Sequence, residues 1–289
     1  MLVILGIAVV FGMVFGGFVL AGGKFAIILK ALPYEMMMIG GAATGAFMIA
    51  NKGVVIKKTL KDIKKVFGTG KWKPQDYKDL LCLMFTLLKL IRTKGMISLE
   101  QHIENPQQSS IFKNYPRIAN DHFAIDFICD TLRMMTMNFE DPHQVENMME
   151  NLLEKHHHEA AAPAHALQTV ADGLPALGIV AAVLGVIKTM ASINEPVEIL
   201  GKMIGGALVG TFLGVFLAYC VAGPISSKLG QIYDQEHLFY MIIRDVLVSH
   251  LHGNAPQVSV EIGRGNIPSH YQPSFMEIEA LLNTIKIEG

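Results

Sequence analysis

From Met203 to Ser227 the chain runs for 25 residues without a charged side chain. A helix needs about 20 consecutive apolar residues to cross the hydrocarbon core of a bilayer, so a run of this length reads as a membrane span. The first 23 residues, Met1 to Gly23, also carry no charge. A secretory leader would begin with a basic segment and end in a small-residue cleavage site. No Lys or Arg precedes this run, and a retained span is expected. Between these two lie a shorter run, Met36 to Ala50, and another that starts at Gly173 after Asp172 and reaches Lys188 and Met190. The shorter one is bounded by Glu35 and by Asn51-Lys52, with Pro33 and Tyr34 available to extend it at the interface. Composition agrees: 51% of residues are hydrophobic and 17% charged, against about 25% charged in soluble domains.

The loops orient the spans. Between residues 52 and 73 there are eight lysines (Lys52, Lys57, Lys58, Lys61, Lys64, Lys65, Lys71, Lys73) against one acid, Asp62. Lys and Arg near a span are held on the cytoplasmic side. The expected organisation is therefore spans one and two over 1–51, a cytoplasmic domain over 52–170, spans three and four over 171–227, and a cytoplasmic helix and tail over 228–289. Both termini are expected inside, with short outer loops at about 22–33 and 191–201. Beside a span the basic run is read as topology, and no nucleic-acid partner is inferred. Cys82, Cys129 and Cys220 are far apart and odd in number, which gives neither a disulfide framework nor a CxxC site.

The cytoplasmic part reads as helices. Leu80, Leu81, Met84, Leu87, Leu88 and Ile91 recur at helical spacing, with Gly95 able to end that helix. Ser98 and Gln101 have capping-box form, and Asn105-Pro106 closes the short helix after them. A periodic run covers about 121–155, and Leu229 to Leu251 continues helically. The stretch from Gly253 to Pro273 is rich in Pro and Gly and is expected to be irregular, before a last helix capped by Ser274. Nothing alternates with period two over a useful length, so the expected fold is all-α: four transmembrane helices with a large helical cytoplasmic domain.

Inside the spans, Gly206, Gly210, Gly214 and Ala218 fall at every fourth position. Gly178–Ala182, Ala181–Gly185 and Gly41–Gly45 repeat the pattern. Such stripes let helices approach closely where lipid supplies no hydrophobic drive. The contact they serve is either packing within the chain or association with a neighbouring subunit. No ionisable residue is expected in the interior of a span, with Glu35, Asp172 and Lys188 read as edge residues. An ion pathway needs an ionisable group or a lined filter, so a titrating carboxylate would have to come from another chain. This chain offers hydroxyls, Thr189 and Thr211, which either bond back to a helix carbonyl or handle an ion. Pro175 is placed in the first turn of span three, where proline is tolerated, and Pro224 near the cytoplasmic end of span four, where it would kink the helix. Each is simple punctuation or a hinge. Arg92 and Glu100 read, on composition alone, as solvated charges.

Three segments carry a resemblance. Asp172 to Met190 (DGLPALGIVAAVLGVIKTM) resembles the third span of the MotA family, Gly201 to Pro224 (GKMIGGALVGTFLGVFLAYCVAGP) its fourth, and Arg92 to Pro106 (RTKGMISLEQHIENP) its cytoplasmic-loop signature. The resemblance covers essentially the whole chain. It implies a flagellar-motor stator subunit of the bacterial inner membrane, not an enzyme and without cofactor or metal. Five copies would surround two of MotB, whose span supplies the ion-binding aspartate and whose outer domain grips peptidoglycan. H⁺ is the favoured ion and Na⁺ the alternative. It further implies that Arg92 and Glu100 face the rotor protein FliG, that Thr189, Thr211 and Ala182 border the ion path, that Pro175 and Pro224 couple conformations, and that Asp172 is a further acidic site. Two other readings stand beside it. One is a TolQ/ExbB-type energiser, which usually has three spans. The other is a metal transporter or enzyme built on His156-His157-His158 with Glu159 and His165. Three adjacent histidines on a helix point in different directions and chelate poorly.

Overall fold

The computed structural model describes residues 2–68, 70–137 and 141–285. Among these the chain is helical throughout, with no strand. In chain order the helices are α1 (Leu2–Leu20), α2 (Phe25–Ala50), α3 (Gly53–Asp62), α4 (Pro74–Lys94), α5 (Glu100–Glu104), α6 (Ser110–Lys113), α7 (Pro116–Ala119), α8 (His122–Thr136), α9 (Pro142–Met190), α10 (Val197–Leu217), α11 (Gly223–Leu251), α12 (Pro256–Gly265) and α13 (Phe275–Thr284). Four helical stretches are long and apolar enough to cross a membrane: α1, α2, α9, and the continuous run of α10 and α11. The chain divides into two compact units, Met1–Thr69 with Ala160–Ile232, and Gly70–Glu159 with Tyr233–Gly289.

The first unit holds the spans, and its core is thin. Ile39 and Ala43 of α2, Leu174 and Ala181 of α9, and Val209 and Leu213 of α10 are buried together. Ile179, Val180, Val183 and Leu208 are exposed, as expected where acyl chains rather than water cover an apolar surface. α1 rests on α10 through aromatic edges, with Phe11 against Phe216 at 5.1 Å and Phe15 against Phe212 at 5.9 Å between ring centroids. The small residues bring α9 and α10 into backbone contact. A Cβ on Gly178 would lie 2.8 Å from the Gly210 carbonyl oxygen, and one on Gly214 would lie 2.6 Å from that of Leu174. Gly210 and Gly214 therefore serve packing within the chain. Gly206, Gly41 and Gly45 have nothing within 4 Å of a Cβ position, so those parts of the pattern are free for other contacts.

The second unit is a water-soluble type of core. α4 runs through it with Leu80, Leu81, Leu83, Met84, Leu87 and Leu88 fully buried. Gly95 ends α4 at φ +80°, a conformation only glycine adopts without strain. Trp72 stacks on Phe239 of α11 at 3.8 Å. Two buried carboxylates tie loops to helix starts. Asp76 accepts from the Lys73 N–H at 2.7 Å and pairs with Arg117 at 2.6 Å. Asp121 caps α8 by accepting from the Ala124 N–H at 2.8 Å, while Lys71 pairs with it and the Tyr240 hydroxyl donates to it at 3.2 Å.

Several expectations fail locally, each for a physical reason. The second span begins at Phe25, not Met36, because Pro33 removes one backbone donor without stopping the helix. The loop before it shrinks to residues 21–24, turned by Gly22 at φ +83°. The periodic run over 121–155 is two helices, broken where Asp141 accepts from the N–H groups of His143 and Gln144 and Pro142 starts α9. α9 then continues unbroken to Met190, so Pro175 lies deep inside a helix rather than in a first turn. Ser98 does not cap: its hydroxyl donates to the Gly95 carbonyl at 2.6 Å, and Met96–Leu99 is a 3₁₀ turn. Within the stretch expected to be irregular, Pro256 is the first residue of α12, a position where its missing donor costs nothing.

Candidate functional site

The membrane-side residues gather on α9 and α10. Thr189, near the end of α9, is buried, and its hydroxyl donates to the Gly185 carbonyl at 2.9 Å. Thr211 of α10 is half-buried, and its hydroxyl makes no hydrogen bond among the described residues. It is adjacent to Gly210, whose missing side chain lets Ala181 of α9 approach. Ala182, next along α9, is half-buried. Thr211 and Ala182 thus sit beside the Gly-to-Gly seam, one with a free hydroxyl and one with only a methyl group. Asp172 is exposed and accepts from Gln168 at 2.8 Å, one turn back on the same helix.

Both prolines interrupt a continuous helix. Pro175 leaves the Ala171 carbonyl, four residues earlier, without its usual donor. Before Pro224 the backbone widens into a π turn over Ala218–Ala222, and the Gly223 N–H donates to the Ala218 carbonyl five residues back. A Cβ on Gly223 would stand 3.0 Å from that oxygen, so glycine before the proline lets the wide turn close. Such π turns recur at functional sites. Just beyond, the buried Ser226 hydroxyl donates to Ala164 of α9 at 2.8 Å, tying the segment after the widened turn to its neighbour.

Sequence reading missed Glu35. It lies well inside α2 rather than at a span edge, is only 5% exposed, and its Oε2 has no hydrogen-bond partner among the described residues. It packs against Gly210, where a Cβ would come within 2.5 Å of Oε2. The apolar residues Phe25 to Leu29 ahead of Pro33 were the available signal that the helix starts earlier.

In the second unit, Arg92 stands in the last turn of α4 and Glu100 opens α5. Both are exposed, and neither joins a salt bridge among the described residues. Gly95 and the 3₁₀ turn between them bring the two charges onto one short exposed connection. Arg92 is close enough to His250 to help lower its basicity, after burial, which is the larger cause. The histidine run diverges: His156 stacks on Phe123 at 3.6 Å, while His157 faces His237 at 4.5 Å and Asp234 at 3.5 Å. No group of three or more His, Cys, Asp or Glu among the described residues is arranged to hold a metal ion.

With this geometry in place, similarity to known proteins is informative. Residues 4–95 match the family described as Motility protein A N-terminal, and residues 120–240 match the MotA/TolQ/ExbB proton channel family. Motility protein A of Salmonella typhimurium is 42% identical over 286 residues, covering 99% of this chain and 96% of that one. Motility protein A of Escherichia coli is 41% identical over the same length. Among solved structures, the flagellar MotAB stator complex from Bacillus subtilis superposes with a TM-score of 0.71 at 24% identity, covering 93% of this chain and 96% of that one. That match speaks for the fold. With four apolar helices, and similarity running the length of the chain, this is a multi-pass membrane protein that belongs to the MotA family of flagellar motor stator proteins, within the MotA/TolQ/ExbB proton channel family.

Proposed function

We propose that this chain is the ring-forming, torque-generating stator subunit of a bacterial flagellar motor, and that with MotB it conducts protons. The observation that carries the reading is the α9–α10 seam, closed glycine to glycine, with the unbonded Thr211 hydroxyl beside it in a chain similar to motility protein A from end to end. A half-buried hydroxyl can exchange hydrogen bonds with a passing ion or with a partner's carboxylate. The aspartate that takes up the ion then belongs to MotB, held at the centre of five copies of this chain. Lys52 to Lys73 keep the domain that follows α2, and both termini, on the cytoplasmic side of the inner membrane.

Arg92 and Glu100 are the contacts to the rotor protein FliG. Exposed charge pairs contribute only about 0–1 kcal/mol each, which suits a contact that must release at every step. One elementary charge crossing 100 mV supplies about 2.3 kcal/mol, enough for small repeated rotations of a ring. Pro175 and the wide turn before Pro224 are where a change beside the ion path bends the helices that continue beyond the membrane, and Asp172 and Thr189 border that path.

Charge reversal tests the assignment. Arg92→Glu or Glu100→Lys should cut torque severely while stator assembly and ion conduction persist. Full motility of the double reversal in a strain with an unaltered rotor would remove both residues from the mechanism.

A further inference from the structure

A buried acid in a membrane helix with no partner is costly, and an ionisable group at that depth marks an ion or proton pathway by default. Glu35 is such a group: 95% buried, since its exposure is 5%, and with Oε2 unbonded. Gly210 gives it room, because any side chain there would collide with the carboxyl group. Glu35 also lines a cavity of about 670 Å³ between α2, the end of α9 and the start of α10, together with Thr189 and the exposed Lys24, Lys30, Lys188 and Lys202.

The chemistry of that cavity separates protons from metal cations. A sodium ion gives up its water only to several oxygen ligands at once. Here the side-chain oxygens of the lining are those of Tyr34, Glu35 and Thr189, too few to replace that water. A proton needs a single oxygen, to which it bonds covalently. We infer that Glu35 is a proton-exchange site of this chain, taking protons from the water of the α2–α9–α10 cavity and returning them inward toward the ion path. The step balances: hydronium gives its proton to the carboxylate and leaves water, and the acid later releases that proton to the carboxylate that MotB supplies on the ion path, Glu35 returning to its ionised form. This assignment rests on the stator reading and adds to it a titrating group supplied by the ring itself.

The test uses this chain with its MotB in cells lacking their own stator, and follows bead rotation at low load, where proton delivery limits speed. Glu35→Gln preserves shape and removes the exchangeable proton. It should slow rotation on the order of tenfold, below the full effect of losing a positioned proton carrier because other water routes persist. The number of stators per motor should stay unchanged, and Glu35→Asp should restore most of the speed. Infrared spectra of the purified complex taken across pH should show a titrating carboxylic acid that Glu35→Gln removes. Wild-type speed in Glu35→Gln would overturn the site. So would equal failure of both variants with fewer stators per motor, the mark of a packing role. Failure of the unsubstituted chain to turn the motor would instead overturn the stator reading, and this site with it.

Discussion

Gly214→Ala tests the α9–α10 seam most directly. The added methyl would stand 2.6 Å from the Leu174 carbonyl oxygen and 2.8 Å from the Gly178 Cα, and both are backbone atoms of α9. No side chain can swing aside, so the two helices must separate by several tenths of an ångström along the seam. Overpacking of this kind costs about 1–3 kcal/mol. The better helix propensity of alanine offsets up to about 1 kcal/mol of that. With the full offset the net loss is about 0–2 kcal/mol, and each 1.4 kcal/mol is a factor of ten in the folded ratio. Gly206→Ala is the control on the same face of α10. Nothing lies within 4 Å of its Cβ position, so the chain itself should be unharmed or slightly more stable. Thermal unfolding of the detergent-purified chain, followed by loss of the monodisperse species, should rank Gly214→Ala below wild type and Gly206→Ala at or above it. The reverse order, or equal stability of both variants, would refute the account of the seam. If Gly206→Ala leaves the isolated chain stable yet weakens assembly of the complex, that face of α10 meets another subunit.

Two predictions concern the second unit. Asp121→Ala removes a helix cap worth about 1 kcal/mol and strips the buried Tyr240 hydroxyl of its acceptor, a further ~1–3 kcal/mol, so urea unfolding should show a loss of roughly 2–4 kcal/mol; Asp121→Asn, which keeps cap and acceptor, should lose much less. His237 is held below its ordinary value of 6.5 by burial first and by His157 second. The folded chain therefore binds that proton more weakly than the unfolded chain, and the contribution is complete above pH 6.5 and lost as pH falls through the lowered value. Melting temperatures measured between about pH 7.5 and pH 5.5 should fall with acidification, and more shallowly in His237→Gln; an unchanged slope would exclude the His157–His237 pair as the cause.

The spans of α1 and α10 were legible because lipid leaves few options for an uncharged run of that length. The start of α2 was not, because reading outward from Met36 treats the first charge as the edge of the bilayer. That rule holds for side chains facing lipid, and Glu35 faces Gly210 instead. Proline misled in both directions: Pro256 starts a helix where irregularity was expected, and Pro175 interrupts one that does not end. The glycine stripe was plain in the sequence, but only the structure divides it into Gly210 and Gly214, consumed within the chain, and Gly206, left open. Arg92 and Glu100 are ordinary surface charges by every local measure, and only the resemblance of the loop from Arg92 to Pro106 to the family suggests a role for them.

The five-residue turn at Ala218–Ala222 holds one residue more than an ordinary helical turn. Each residue of an α-helix advances the face by about 100°, so every side chain of α11 is displaced by roughly that angle from where an unbroken helix would carry it. Patterns read across this point, from Thr211 to Phe239 for example, are out of phase by one position.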